Sequence, residues 1–217
     1  MRGAIVVAGL GFGDEGKGTT VDWLVRRHES ALVVRYNGGA QAAHNVVLPD
    51  GRHHTFSQFG SGTLAGAETF LSRYMLVNPS AMLNEAAGLA GLGVVDPLSR
   101  VHVDEDALIT TPFHIAANRA REQARGDGRH GSCGMGIRET MADAEDPDRI
   151  ALRVHDLFVP GALRRKLFVI QGQKQRDALA VGPLDERTLV GRVLIEPGQV
   201  DDIAARMEAW TRGVDVV

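Results

Sequence analysis

Three side chains near the start of this chain could act together: Asp14, Lys17 and His44. A carboxylate can take a proton or hold a cation, an ammonium can neutralise phosphate, and an imidazole titrates near neutrality. Asp14 and Lys17 lie in Gly9-Leu10-Gly11-Phe12-Gly13-Asp14-Glu15-Gly16-Lys17-Gly18-Thr19-Thr20. From Gly11 to Lys17 the spacing follows the phosphate-binding pattern G-x-x-x-x-G-K, but Gly18 stands where Ser or Thr is expected. The hydroxyl that commonly meets Mg²⁺ is therefore missing, and Asp14 could replace it or act as a base. Blander readings stand beside these. A glycine-rich turn serves any tight strand–helix junction. An Asp at such a turn is often a helix cap, a first-turn lysine can be simply solvated, and a lone loop histidine is commonly surface.

The flanking residues define what must position this loop. Residues 4–8 are apolar and β-branched and read as a buried strand, and residues 21–27 carry apolar positions at helical spacing. The glycines then occupy a strand-to-helix turn, where backbone N–H groups can cradle phosphate. Residues 31–36 read as a second strand, giving a parallel βαβ unit in an α/β fold with a mostly parallel sheet. Residues 46–56 read as a hairpin turning at Pro49-Asp50-Gly51. The stretch 60–67 is small and reads as flexible. A buried strand is expected over 70–77, and a helix after it, capped by Asn78 or Ser80, with Met82, Leu83, Ala86, Ala87 and Leu89 on one face. Further on come a short strand at 100–103, a helix over 111–122 and a second glycine-rich loop over 126–137. A helical piece follows at 163–167, then a polar stretch at 171–176 read as surface, and an amphipathic helix over 200–210.

Composition narrows the class. The chain has 217 residues, 44% hydrophobic and 24% charged, which is ordinary for a globular protein. A net charge of −3 argues against general nucleic-acid binding. The single cysteine, Cys133, can form no internal disulfide and suits a reducing compartment. The N-terminal apolar run breaks at Gly9, too short for a signal peptide or a membrane span, so a cytoplasmic protein without membrane partners is expected.

The string Gly13-Asp14-Glu15-Gly16-Lys17-Gly18 resembles the N-terminal signature of the adenylosuccinate synthetase family. A second block, Arg35-Tyr36-Asn37-Gly38-Gly39-Ala40-Gln41-Ala42-Ala43-His44-Asn45, is similar to that family's R-Y-x-G-G-x-N-A-G-H-T segment. The 60–67 stretch resembles its P-S-G-I-L segment. Gly131-Ser132-Cys133-Gly134-Met135-Gly136-Ile137 resembles its G-T-T-G-x-G-I-G loop, and 148–157 resembles A-R-R-G-L-R-V-G-D-L. The resemblance implies a GTP- and Mg²⁺-dependent ligase joining IMP to aspartate. It assigns Asp14 as the base at N1 of the purine and a Mg²⁺ ligand, with the Ala43 carbonyl as a second ligand. His44 becomes the acid assisting phosphoryl transfer to the 6-oxygen. Nucleotide contacts fall to Gly13, Glu15, Gly16, Lys17, Gly18, Thr19, Gln41, Ala42, Ala43, Ser132, Cys133 and Gly134. Arg149 matches an arginine that reaches the neighbouring subunit's nucleotide, implying a homodimer or a hetero-complex.

Gln41, Ala43 and Asn45 depart from the family's Asn, Gly and Thr, which leaves the substrate open to IMP or a related purine nucleotide; the phosphoryl donor is read as GTP or ATP, and the amine as aspartate or another. The family's glutamine segment, aspartate-binding loop and guanine motif have no clear counterpart here. The division expected is a nucleotide-binding domain over 1–157 resembling the synthetase N-terminal half, with a divergent segment over 158–217 packed on it. The alternative to a ligase is a non-catalytic nucleotide-binding module, or a half-enzyme needing a second chain.

Overall fold

The longest strand, β4 (Glu68–Val77), sits in the middle of the sheet in a computed structural model that describes residues 3–11, 13–128 and 131–217. Phe12 of the first glycine-rich loop and Arg129 and His130 of the second lie outside the described residues. Around β4 the chain runs α1 (Lys17–His28), β1 (Leu32–Gly38), β2 (His44–Val47), β3 (His53–Phe56), then β4 and α2 (Pro79–Gly91). It continues with β5 (Val101–Val103), β6 (Leu108–Ile109), α3 (Pro112–Ala124), α4 (Ile137–Glu145), α5 (Ala162–Leu179), α6 (Leu189–Ile195), α7 (Gln199–Thr211) and β7 (Asp215–Val216). The main sheet is parallel throughout, in the order β1-β4-β5-β7, with β6 pairing the far end of β4. The fold is α/β, as the strand and helix periodicities imply.

Leu71, Met75 and Val77 of β4 are fully buried, in a core that takes Met82 and Leu89 from α2, Phe113 from α3, Leu167 and Ile170 from α5, and Met207 and Trp210 from α7. The Pro49-Asp50-Gly51 hairpin forms, with His44 registered opposite Phe56. Of the two cap candidates before α2, Asn78 is the one used: its side chain accepts from the Ala81 N–H at 3.0 Å. No helix among the described residues is long and apolar enough to cross a membrane.

Three expectations need correction. Residues 4–8 form no strand, and Ile5 and Val6 are exposed. An apolar run becomes a strand only when a neighbouring strand satisfies its backbone, and the described partner of β1 is β4. The 60–67 stretch is not loose. A Cβ on Gly60 would stand 2.7 Å from Val33, and one on Gly62 would stand 2.6 Å from Val25. Its small residues let β1 and α1 close over it. Residues 171–176 are not a surface stretch but the middle of α5, with Gln171, Gln173 and Lys174 buried. Each has found partners: Gln171 donates to the carbonyls of Val193 and Glu196, and Gln173 exchanges hydrogen bonds with the backbone of Ile150.

Candidate active site

Gly16, with φ 72°, caps α1 and turns the chain into its first helical residue, Lys17. The cap carries no side-chain bond, so Asp14 is not the helix cap. Its carboxylate is exposed at the mouth of the loop. Lys17 Nζ donates to the Gly13 carbonyl at 2.9 Å and to Glu15 Oε2 at 2.7 Å. The other Glu15 oxygen accepts from the Gly11 N–H. Lys17 and that N–H hold the Glu15 carboxyl below the usual carboxylate range. The loop thus already folds its own donors around an anion, and a phosphate entering there would displace Glu15.

The glycine at position 18 has a steric reason. A Cβ there would stand 2.8 Å from His44 Cβ and 3.1 Å from the His44 backbone. Glycine lets β2 lie against the first turn of α1, and Thr19 Oγ1 reinforces the approach by donating to the Asn45 carbonyl at 3.3 Å. We expect Gly18→Ser, which would restore the hydroxyl of the common pattern, to cost about 1–3 kcal/mol through overpacking. A denaturant midpoint unchanged from the parent would contradict this packing account.

His44 is half-buried. Burial, and then the charges of Arg35 and Lys17, lower its pKa, with Glu85 opposing. The imidazole is therefore neutral at pH 7. Arg35 donates to the Phe59 carbonyl at 3.0 Å. Glu85, on α2, accepts from Ser57 N at 3.0 Å, Ser57 Oγ at 2.7 Å, Gln58 N at 2.8 Å and Phe59 N at 3.3 Å. This buried carboxylate fixes the corner that follows Phe56, the residue on which His44 is registered. The sequence reading missed Glu85. The available signal was an acid on the core-facing stripe Met82, Glu85, Ala86 and Leu89.

The rest of the second block leads to the third loop. Ala42 N–H donates to the Gly39 carbonyl at 3.2 Å, closing a turn that leaves Gln41 and Ala43 exposed. A Cβ on Gly39 would stand 2.6 Å from Ile137 Cδ1, so this turn sits on the first residue of α4. Gly136, with φ 74°, caps α4 against the His114–Ile115 backbone of α3. Ser132 Oγ donates to Asn118 Oδ1 at 3.4 Å, and Cys133 is exposed. Glycine contacts thus join the three loops in series: 9–18 to His44, and 37–44 to the 131–136 loop.

Arg149 is committed to acidic side chains. Its guanidinium binds Asp177 at 2.6 and 2.7 Å and Asp143 at 3.0 Å, with Asp146 at 3.4 Å. Asp177, then Asp143, raise its pKa. Asp143 also holds Lys174 at 2.6 Å and His114 Nε2 at 3.1 Å, all buried. His114 Nδ1 accepts from the Thr111 N–H at 2.9 Å, which assigns the neutral Nε2–H tautomer.

The family model for adenylosuccinate synthetase matches residues 6–208. The chain is 38% identical over 168 residues to the adenylosuccinate synthetase of Neisseria gonorrhoeae (strain ATCC 700825 / FA 1090), covering 77% of this chain and 38% of that protein. It is 33% identical over 215 residues to that of Methylibium petroleiphilum, covering 94% and 47%. The fold is similar to fully ligated adenylosuccinate synthetase from Plasmodium falciparum, with a TM-score of 0.70 and 17% identity, over 94% of this chain and 48% of that one. It is also similar to succinoaminodeoxyadenylate synthetase of cyanophage S-2L, bound to dGMP and dATP, with a TM-score of 0.50, 18% identity and coverage of 65% and 38%. The chain spans less than half the length of each of these relatives.

Proposed function

Because the chain belongs to the adenylosuccinate synthetase family, we propose that it takes part in phosphorylating the 6-oxygen of IMP or a related purine nucleotide, which the amine of aspartate then displaces. GTP or ATP donates the phosphoryl group. The observation that carries this reading is the seat of His44 on the first turn of α1 at Gly18, which brings the imidazole to the loop that holds Lys17. Asp14, exposed and free of the helix cap, removes the proton from N1, and the electron pair moves to the 6-oxygen, which attacks the terminal phosphorus of the triphosphate and expels the nucleoside diphosphate. Lys17, released from Glu15, neutralises the phosphate oxygens. His44 acts as a neutral hydrogen-bond donor to the developing oxyanion. The Asp14 carboxylate and the Ala43 carbonyl are hard oxygen donors that fit Mg²⁺, which supplies charge neutralisation for the phosphates when bound. Gly13, Glu15, Gly16, Gly18, Thr19, Gln41, Ala42, Ser132, Cys133 and Gly134 line the nucleotide path. Arg149 reaches a neighbouring subunit's nucleotide only by leaving Asp177 and Asp143.

The test is to mix the pure protein with GTP or ATP, IMP, aspartate and Mg²⁺, and to measure phosphate release and adduct mass. Asp14→Asn and His44→Ala are expected to abolish turnover with little change in Tm, since Asp14 is exposed in its loop and His44, at the start of β2, is only half-buried. Full activity in either variant would end this assignment. The coverage of less than half of each relative favours a second reading. In it, the chain binds nucleotide and turns over only with a polypeptide that supplies the aspartate and base sites, and the assay shows binding without adduct.

A further inference from the structure

Between α3 and the 131–136 loop lies a cleft of about 240 Å³, lined by Arg119, Glu122, Gln123, Gly131, Ser132 and Gly134. Of Arg119, Arg121 and Arg125, two are committed. Arg121 pairs with Glu139 at 2.8 Å, and Arg125 pairs with Glu122 at 2.6 Å. Arg119 has no ion-pair partner among the described residues, and it is exposed. Its Cγ and Nε stand 3.7 Å from the point where a Cβ on Gly134 would lie, so its stem runs over the loop. The neighbouring Asn118 accepts from Ser132 Oγ and donates to Glu139, each at 3.4 Å. One turn of α3 thus fastens the loop through Asn118 and leaves a cation above it at Arg119. Gly131 and Gly134 both have φ of 68°, which lets the loop turn tightly beneath Arg119. The Glu122 carboxylate lines the same cleft but is held by Arg125.

We propose that Arg119 is a phosphate-binding residue of this chain, closing over Ser132 and Gly134 onto the 5′-phosphate of a purine nucleotide. The planar guanidinium can grip a phosphomonoester with two parallel N–H donors, and the Ser132 hydroxyl supplies a third. The proposal rests on the reading of the 131–136 loop as part of the nucleotide site, and it adds a residue that neither glycine-rich pattern contains.

Cys133 gives a direct readout, because it is exposed, lies in the loop and is the protein's single thiol. The rate of Cys133 alkylation by iodoacetamide is measured against increasing IMP, and separately against inorganic phosphate, in the parent protein and in Arg119→Met. IMP is expected to slow alkylation in the parent, with the protecting concentration about tenfold higher in Arg119→Met and partly restored in Arg119→Lys. Stronger protection by IMP than by phosphate identifies the nucleotide as the source of the bound group. Equal protection by both identifies free phosphate, and in that case the nucleotide assignment falls. The same midpoint in parent and Arg119→Met, or no protection of the parent by either ligand, overturns the proposal. If calorimetry then still shows nucleotide binding that is lost in Lys17→Ala, the reading of the first loop survives and only the Arg119 assignment fails.

Discussion

Lys174→Met is expected to destabilise the protein by about 3 kcal/mol, the low end of the cost of breaking a buried ion pair, because Arg149 still faces Asp143. Lys174 is 1% exposed, and its ammonium touches Asp143 at 2.6 Å, Asp177 at 3.2 Å and the Glu139 carbonyl at 3.4 Å. The methionine stem fills similar volume but leaves Asp143 with one fewer positive partner inside the fold. The same cluster makes the protein sensitive to acid. Burial alone would raise the Asp143 carboxyl, yet His114 and Lys174 hold it below its usual 3.8. The stability this gives is present above 3.8 and is lost as pH falls through the folded-state value. Burial lowers His114 from 6.5, so the unfolded chain takes up that proton first and stability begins to fall as pH drops below 6.5. Urea midpoints should therefore decline between pH 7.5 and 5.5. A Lys174→Met midpoint within error of the parent at pH 7.5 would show that the cluster is not what holds α4 to α5.

Glu85→Leu should be comparably damaging, at about 3 kcal/mol, because it strands buried N–H donors that together lose one acceptor. Burial by itself would raise this carboxyl, but His54, Ser57 and the backbone N–H groups of Ser57 and Gln58 hold it below the usual range. Glu85→Gln keeps one acceptor oxygen and should cost about 1 kcal/mol. The location of the damage is as informative as its size. Hydrogen exchange should quicken first over β2, β3 and residues 57–59, while α5 and α7 keep their protection. Uniform acceleration across the chain would mean that Glu85 supports the core in general and not the His44 corner in particular.

What was legible in the sequence follows a physical divide. The helices α2, α3 and α7 could be read because their apolar residues fall at helical spacing, with α2 and α3 capped locally by Asn78 and Thr111, and the strands β1, β4 and β5 because they are short, largely apolar runs. The glycine-rich loops could be read because residue types at short spacing define them. Whatever depended on distant partners could not. Nothing near residue 174 announces that Asp143 and His114 will meet it, so a Gln-Gly-Gln-Lys-Gln-Arg run read as surface when it is the middle of a packed helix. Residues 4–8 fail in the opposite sense: their composition is that of a strand, but the described fold gives them no neighbour. Gly18 looked like a defect in a familiar pattern until the backbone of His44 was seen against it.

The central position of β4 also bears on how fast the protein can fold. Its first residue pairs with Leu32, while Thr69 pairs with Val101 and Leu76 with Leu108. Every one of these contacts spans more than thirty residues and is parallel, so none can be closed by a short turn. Such non-local pairing puts the entropic cost of loop closure before its reward and slows the search. The hairpin of β2 and β3 closes locally at Pro49-Asp50-Gly51 and faces no such delay. Refolding should therefore show early protection in that hairpin and in the helices, with the sheet amides of β4 protected last. Until β4 is covered, its unpaired backbone is the surface most open to association with other chains.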